Sequence, residues 1–456
     1  MSASPTTGLE VRGGRFRWVL RQGETDEADS FASLVGIGPI AGRVLYGRGV
    51  RDPEAARRFL NPSLEHLHDP LTMRGMSQAV ERIRRAAQAR EKILIYGDYD
   101  VDGTTSVVVL KKAIELAGGV ALFHVPDRFK EGYGMRAEVV ERAGAEGVSL
   151  IISVDTGIRA SEVVRRAAEL GIDVIVTDHH LPEAELPPAL AVLNPNQPGC
   201  HYPEKNLCGV GVAFKLAQGL LQTLDWPADK LRRILASFLK LVAIGTVADV
   251  VPLTGENRII VKHGLAGLCV VKNPGLRALL EVAGLSEGGA PSAGQVAFQV
   301  APRINAAGRM ATANDVIELL TTADGDRARV LAEQLNKLNV ERRDAELKIV
   351  ELILEECTRI PVTERDAALV FAGLGWHRGV LGIVASRLVE IFHRPTFVLG
   401  HSEEDGVAQG SGRSIPTFHL LDALEKMPEV FTKFGGHFHA AASHCRQDAS
   451  TSSGKS

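Results

Sequence analysis

Short apolar runs alternate with segments of helical periodicity through the first half of the chain. The runs are four to five residues long and rich in Ile, Val and Leu, at 92–96, 120–124, 150–154, 174–177 and 191–194. Such runs are typical of strands that are buried on both faces. The segments between them repeat apolar residues at helical spacing, at 104–116, 137–145 and 160–170. This alternation predicts a doubly wound parallel sheet, whose binding sites lie at the carboxyl ends of the strands.

The segments on either side of this sheet predict helices and a second α/β region. Asp52-Pro53-Glu54 is typical of a helix start, with a capping aspartate and a proline at the first helical position. Residues 326–356 repeat leucine and valine at helical spacing among many charges, which predicts a long helix connecting two domains. The other predicted elements are a strand at 16–20, helices at 79–90, 210–224, 229–245 and 382–391, and strands at 367–371 and 396–399.

The length of the chain predicts more than one domain, because 456 residues exceed what one ordinary core holds. We expect an α/β protein in which a parallel-sheet domain is joined by a long helix to a smaller α/β domain. The expected segments are a helical or irregular segment at 1–90, the sheet domain at 91–320, the connecting helix at 321–360, the smaller domain at 361–445 and a disordered tail at 446–456.

Composition and charge narrow the class of protein. Apolar residues make up 45% of the chain and charged residues 23%, which is globular composition. The net charge of −3 provides no overall basic field, so any contact with a polyanion must be local. The five cysteines form no CxxC pair, and neither a signal peptide nor a membrane-spanning apolar stretch is found. We therefore expect a cytoplasmic protein without a membrane partner.

Three aspartates follow the first strand of the predicted sheet. Asp98, Asp100 and Asp102 precede Gly103, a spacing that resembles a calcium-binding EF-hand loop. That interpretation fails, because the twelfth position is Val109 instead of glutamate and a strand instead of a helix comes first. Capping of the next helix explains one aspartate but not three. Alternate residues of an extended segment point the same way, so we expect these carboxylates to converge on a metal.

Further acidic and imidazole side chains lie at comparable positions. Asp155 follows another predicted strand, where an aspartate alone is often only a helix cap. His179 and His180 follow Asp178 at the next strand end, and adjacent histidines there rarely serve packing. Asp249 follows an apolar helix, an unusual place for an unpaired acid. Hard oxygen ligands with a histidine suit Mn²⁺ or a similar ion better than zinc held by thiolates, and together they predict a divalent-metal phosphoesterase site.

These motifs and their order resemble the DHH phosphoesterase superfamily. Within it the chain is similar to the RecJ family of single-strand-specific 5′→3′ DNA exonucleases, from about residue 40 to residue 442. The matching segments are 97–103 (GDYDVDG), 154–157 (VDTG), 178–180 (DHH), 247–249 (VAD), 61–64 (NPSL), 209–214 (GVGVAF), 303–310 (RINAAGRM) and 376–386 (WHRGVLGIVAS).

The resemblance implies roles for individual residues. Two divalent ions, Mn²⁺ or Mg²⁺, would be held by the family's metal ligands, with Asp155 between them. His180 occupies the position of a phosphate-facing histidine, and Asp98 belongs to the same catalytic set. Arg128 and Arg309 occupy basic positions that suit substrate phosphates, although a lone arginine is more often a solvated surface group. The implied metal ligands are Asp100, Asp102, Asp155, His179 and Asp249.

The second α/β region resembles the DHHA1 substrate-binding domain. A glycine-rich turn with Ser411 and Arg413, and a second glycine-rich segment with His437 and His439, carry this match. Glycines let main-chain N–H groups approach a phosphate, and the basic side chains add charge. The sequence departs from the family at Ala442, where glycine is usual, and it stops where the family continues into an OB-fold. We therefore expect catalytic residues to be complete and the C-terminal OB-fold to be lacking.

The resemblance implies a metal-dependent 5′→3′ exonuclease that degrades single-stranded DNA to mononucleotides in DNA repair and recombination. Single-strand-binding protein and a helicase are implied as partners. One alternative is a DHH/DHHA1 phosphodiesterase acting on short oligonucleotides or small nucleotides. Another is a single-strand DNA-binding relative whose catalysis has decayed, which the intact carboxylates and histidines argue against.

Overall fold

A small N-terminal unit precedes the main sheet in the computed structural model, which describes residues 10–13, 16–19, 25–286, 289–363, 365–401, 407–436 and 439–446. The helix start predicted at Asp52 is confirmed, since its side chain accepts a hydrogen bond from Ala55 N at 2.6 Å. The elements of this unit are strands β1 (Glu10–Gly13) and β2 (Phe16–Val19), which pair antiparallel, and helices α1 (Thr25–Val35), α2 (Pro39–Gly47), α3 (Pro53–Leu60) and α4 (Met76–Ala89).

Five parallel strands form the central sheet, as the apolar runs predicted. They are β3 (Lys92–Tyr96), β4 (Val120–His124), β5 (Val148–Val154), β6 (Asp173–Thr177) and β7 (Ala191–Leu193). The spatial order is β4-β3-β5-β6-β7, with every neighbouring pair parallel. All carboxyl ends therefore open at one edge, where the chain leaves β3, β5 and β6 through its aspartate and histidine motifs.

Helices cover both faces of this sheet. Val140, Val164 and Ala167 pack beneath one face, whereas α4, α5 and the following helices share a larger core on the other. The first crossover helix begins at Val101, three residues before the predicted start. The helices that follow α4 are α5 (Val101–Leu116), α6 (Ala137–Ala145), α7 (Ser161–Glu169), α8 (Gly209–Gln222), α9 (Ala228–Ala248), α10 (Gly255–Gly267), α11 (Pro274–Val282), α12 (Ala293–Gln295), which continues through a π-helical turn (Val296–Val300) into α13 (Ala301–Met310), and α14 (Asn314–Thr321).

The predicted connecting helix is confirmed as α15 (Gly325–Arg359), 35 residues long. Leu331 and Leu335 belong to the core of the first domain. Ile349 and Ile353, further along the same helix, pack into the core of the second region. One continuous helix therefore contributes to both cores. Within the residues that the structure describes, no helix combines the length and the apolar content needed to cross a membrane.

A five-stranded mixed sheet forms the second α/β region. Its elements are β8 (Leu369–Leu374), α16 (Leu381–Phe392), β9 (Thr396–His401), β10 (Val407–Arg413), α17 (Leu420–Glu425), β11 (Phe431–Gly436) and β12 (Ala440–Arg446), and the strand order is β11-β12-β10-β9-β8. Among the strands that the structure describes in this sheet, only β8 and β9 pair in parallel.

The glycine-rich segment before Ser414 is a strand, and its prediction as a turn was wrong. β10 pairs with β9 on one side and β12 on the other, so its main chain is extended. Glycine recurs there because neighbours leave no room: a Cβ at Gly410 would lie 2.3 Å from Val398 O, and one at Gly412 would lie 2.4 Å from the Phe397 ring. The tail predicted to be disordered lies, except for Arg446 at the end of β12, outside the described residues.

Candidate metal centre

The first aspartate motif turns from strand β3 into helix α5. Asp100 caps this helix, with Oδ1 accepting a hydrogen bond from Gly103 N at 2.9 Å. Asp102 lies within the first helical turn, so the expectation of one extended segment through all three aspartates was wrong. The helical turn separates them into two groups: Asp98 and Asp100 lie beside Asp155, whereas Asp102 lies beside His179 and Asp249.

Asp155 follows β5 in a backbone conformation that is unfavourable for a residue with a side chain. Its φ is +60°, in the left-handed region. Such strain persists where the surrounding structure demands it, commonly at functional sites. The first residue of α8 packs against this side chain, because a Cβ at Gly209 would lie 2.6 Å from Asp155 Oδ1. Asp155 is 2% exposed, so the buried backbone turn directs its carboxylate into the centre of the cluster.

The histidine motif follows β6, the strand next to β5. Asp178 accepts hydrogen bonds from the N–H groups of Ile158, His179 and His180, which shapes the turn. His180 Nδ1 lies 2.7 Å from Asp178 Oδ1. Burial lowers the pKa of an imidazole, but the Asp178 hydrogen bond and charge outweigh it and raise the pKa of His180 to about 9. Asp178 was not among the predicted site residues, yet it orients His180.

Three ligand atoms meet at the centre of the cluster without hydrogen-bond partners. His179 Nε2 lies 3.2 Å from Asp155 Oδ1, 3.8 Å from Asp249 Oδ2 and 3.9 Å from Asp102 Oδ2. The Asp155, His179 and Asp249 atoms are buried and accept or donate no hydrogen bond within the described part of the chain. Buried polar atoms are rarely left in this state unless an ordered water or an ion satisfies them, and here two of the three atoms are carboxylate oxygens. The donor set therefore fits a divalent cation.

The charge balance of the cluster supports the same conclusion. Burial and the charge of Asp100 raise the pKa of Asp98 to about 8 and that of Asp102 to about 7. Burial and neighbouring carboxylates likewise raise the pKa of Asp249 to about 8 and that of Asp155 well above its ordinary value. Burial, then the charge of His180, lowers the pKa of His179 to about 4. A bound cation would offset the repulsion among these crowded carboxylates and would be coordinated by the neutral imidazole.

A group of arginines lies beside this cluster. Arg309 is half-buried near the end of α13, and its Nη1 donates to Gly379 O at 3.1 Å. Burial and the nearby charges of Arg128, Arg342 and Arg413 lower the pKa of Arg309 to about 10. Burial and the charge of Arg128 also lower the pKa of Arg413. Among the described residues Arg128, Arg309 and Arg413 form no ion pair with a carboxylate, so together they offer a site for an anion.

The other predicted substrate-binding residues are Ser411, His437 and His439, and the structure describes two of these three. Ser411 is two residues from Arg413 on β10, so both side chains project from the same face of the sheet. The main-chain carbonyl of His439 accepts a hydrogen bond from Ser414 N at 3.0 Å, and its side chain is exposed. His437 lies outside the described residues.

Two aromatic residues near the cluster, Tyr99 and Tyr133, were not among the predicted site residues. The ring of Tyr133 lies 6.5 Å from that of His180 and is 55% exposed. The guanidinium carbon of Arg128 lies 5.0 Å from the centre of the Tyr99 ring, which holds this arginine over the first aspartate motif. Tyr99 lies inside the recognised motif, but nothing in the local sequence distinguishes Tyr133 from an ordinary loop residue.

Comparison with known proteins agrees with this geometry. The DHH family N-terminal domain matches residues 92–246, and the DHHA1 domain matches residues 366–450. The single-stranded-DNA-specific exonuclease RecJ of Bacillus subtilis is 42% identical over 94% of this chain, which spans 53% of that relative. The RecJ of Dickeya dadantii is also 42% identical, over 92% of this chain and 73% of its own length.

A solved structure shares the fold as well. The crystal structure of RecJ from Thermus thermophilus in complex with Mn²⁺ has a TM-score of 0.79 and 31% identity, over 94% of this chain and 60% of that one. The chain thus spans little more than half of two of these three proteins. Sequence identity, the ordered motifs and the common fold agree: this chain belongs to the RecJ family.

Proposed function

We propose that this chain is a metal-dependent exonuclease that removes mononucleotides from the 5′ end of single-stranded DNA. The observation that supports this most directly is the meeting of Asp155, His179 and Asp249 through buried ligand atoms that have no other partner among the described residues. The unpaired arginines beside them suit the phosphates of a nucleic acid. The substrate and the polarity follow from the family to which the chain belongs.

Asp100, Asp102, Asp155, His179 and Asp249 would hold two divalent ions, Mn²⁺ or Mg²⁺. Bound there, the ions would activate water as a nucleophile and stabilise negative charge on the phosphoryl oxygens. The protein's own contribution is to hold the ligands in place. Asp102 is fixed by two main-chain N–H groups, from Gly209 at 2.6 Å and Val210 at 2.7 Å.

His180 is the residue we assign to the scissile phosphate. Its imidazole is exposed, while Asp178 beneath it favours the protonated form. A protonated imidazole can donate a hydrogen bond to a phosphoryl oxygen and compensate its charge. Asp98 completes the catalytic set beside Asp100.

The arginines would hold the strand by its backbone. Arg128 and Arg309 belong to the first domain, and Ser411 and Arg413 to β10 of the second, so the substrate would lie between the two. Contacts to phosphate carry no base information, which fits an enzyme that degrades any sequence. His437 and His439 remain proposed contacts on the same second domain.

The wider organisation is proposed on the same basis. We assign residues 91–320 to the catalytic domain, 361–445 to the substrate-binding domain and 1–90 to a segment packed on the former. We assign the protein to the cytoplasm, which fits a sequence with no CxxC pair. Its proposed partners are single-strand-binding protein and a helicase, which fit a DNA-processing enzyme. Co-purification of tagged protein with single-strand-binding protein tests the partnership.

The test uses purified chain with Mn²⁺ and 5′-labelled DNA. We expect mononucleotide release from a single strand, little from duplex, and loss of release in Asp155→Asn and Asp249→Asn. Wild-type rates in both variants would refute the site. Faster hydrolysis of a dinucleotide than of a long strand would instead favour a phosphodiesterase for short oligonucleotides. Tight strand binding with no Mn²⁺ binding would favour a decayed relative.

A further inference from the structure

The segment between β7 and α8 contacts three of the chain segments that carry the proposed metal ligands. Resting on the metal site proposed above, we propose that Asn194, Asn196 and Glu204 of this segment are positioning residues for that site. They lie outside the clusters of ligand atoms and act on the main chain that carries the ligands. We call residues 194–210 the bracing segment.

The two asparagines hold the histidine motif by its main chain. Asn194 Nδ2 donates to His180 O at 2.8 Å, and Asn196 Nδ2 donates to His179 O at 3.1 Å. Asn194 Oδ1 in turn accepts from the main-chain N of Asn196 at 2.8 Å, so the Asn194 side chain also fixes the main chain that carries Asn196. Asn194 is fully buried, and these bonds orient the turn from which both imidazoles project.

The end of the bracing segment holds the aspartate motifs. Gly209 N and Val210 N donate to the two carboxylate oxygens of Asp102, at the start of α8. Two N–H groups at a helix start are free to do this because they have no partner within the helix. The missing side chain of Gly209 also leaves the space that Asp155 occupies.

Glu204, in the middle of the bracing segment, holds the chain that follows Asp249. One of its oxygens accepts from Glu256 N at 3.1 Å, at the start of α10, and the other accepts from Asn206 N at 3.0 Å. A Cβ at Gly255 would lie 1.9 Å from Glu204 Oε2, so glycine is required there. The link from Asp249 to α10 is short and strained, with φ of +60° at Val250, so fixing its far end restrains Asp249.

The bracing segment is itself anchored in the core. Tyr202 Oη donates to Glu256 Oε2 at 2.5 Å, and Lys215 Nζ lies 3.0 Å from Glu256 Oε1. Lys215 and Glu256 have no exposed side-chain surface. An anchored segment that contacts the chain around Asp102, His179 and Asp249 can set the distances among them, although each ligand is 70 or more positions from the next in the sequence.

The test compares Mn²⁺ affinity, measured by calorimetry, in Asn196→Ala, Asn196→Asp and the control Gln197→Ala. Gln197 is also a buried amide of this segment, but it donates to Val192 O at 2.6 Å, away from the ligands. We expect both Asn196 variants to bind Mn²⁺ roughly 10–100-fold more weakly, as is usual when residues behind a metal ligand are changed. Gln197→Ala should bind as the wild type does.

Asn196→Asp separates positioning from a simple charge effect, and the control Gln197→Ala shows whether the loss of any buried amide of this segment is enough. Asn196→Asp keeps the shape of the side chain but cannot donate to His179 O, and its added negative charge would by itself strengthen cation binding. Weaker Mn²⁺ binding by this variant therefore supports a role of Asn196 in positioning the ligands. In the exonuclease assay we expect its kcat to fall while KM for DNA is unchanged. Wild-type Mn²⁺ affinity in both Asn196 variants would overturn this inference alone. Absence of Mn²⁺ binding by the wild type would overturn the proposed function instead.

Discussion

Asp155 Oδ1 lies 3.2 Å from His179 Nε2, and within the described residues neither atom has a hydrogen-bond partner. The two residues follow the ends of neighbouring parallel strands, β5 and β6, whose last residues Val154 and Thr177 are paired, so the sheet brings them together. A neutral imidazole and a carboxylate held this close together can both bind the same cation. The pair links the two groups of aspartates, since Asp155 lies beside Asp98 and Asp100 while His179 lies beside Asp102 and Asp249.

Mn²⁺ should stabilise the folded protein through this pair. At a free concentration 100 times the dissociation constant, one site contributes about 2.7 kcal/mol to the free energy of unfolding. We expect the melting temperature to rise with Mn²⁺ in the wild type and in the control His66→Ala, an exposed histidine far from the cluster in sequence. His179→Ala should lose most of that rise. An equal rise in all three proteins would remove His179 from the site.

Arg413 should contribute to DNA affinity through charge alone. Each phosphate contact to a single strand adds about 0.7 to the steepness with which log affinity falls with log salt concentration. Arg413→Ala should therefore weaken binding at low salt and reduce this slope by about that amount. Fluorescence anisotropy of labelled single strands measures both quantities. The control Arg58→Ala removes an exposed arginine paired with Glu54 on α3, and it should leave the slope unchanged.

Lys215 should matter for stability through its buried ion pair with Glu256. Lys215→Met leaves a buried carboxylate without its cation, a change that typically costs about 3–5 kcal/mol. The remaining bonds to Glu256, from Tyr202 and from His68 N at 2.9 Å, place this case towards the lower end. Urea unfolding measures the loss. The double variant Lys215→Met with Glu256→Met should recover part of it, because no charge is then left buried.

Glu91 should make the stability of the sheet domain dependent on acid pH. Hydrogen bonds from Ser149 and Arg82 lower the pKa of Glu91 below 4.5, against the effect of burial. A carboxyl with a lowered pKa in the folded state stabilises the protein above the unfolded-state pKa, and the benefit disappears as pH falls through the folded-state pKa. Glu91→Gln should therefore be less stable than the wild type at pH 7. The difference should shrink steadily below about pH 4.5, the ordinary pKa of glutamate; a constant difference would contradict the assignment.

Local patterns predicted most of the sheet domain. The strands at Lys92–Tyr96 and Val120–His124 have the predicted bounds, because each is a short apolar run that begins or ends next to a glycine, Gly97 after the first and Gly119 before the second. Helix α5 begins earlier than predicted because Asp100 acts as its cap, which leaves Asp102 inside the helix. The strand β10 was missed because glycine disfavours strands locally. Pairing with two neighbouring strands outweighs that preference.

The sequence by itself determined which residue types serve as ligands and their order along the chain. It also determined that they would meet, because residues that follow the strands of a parallel sheet lie at one edge. Only the tertiary structure decided which carboxylates share a site and which residues hold them there. Gly209 donates to Asp102 across 107 positions, and Tyr133 reaches His180 from a loop without a distinctive pattern. Such contacts depend on how helices pack against a sheet, and periodicity within one segment carries no information about them.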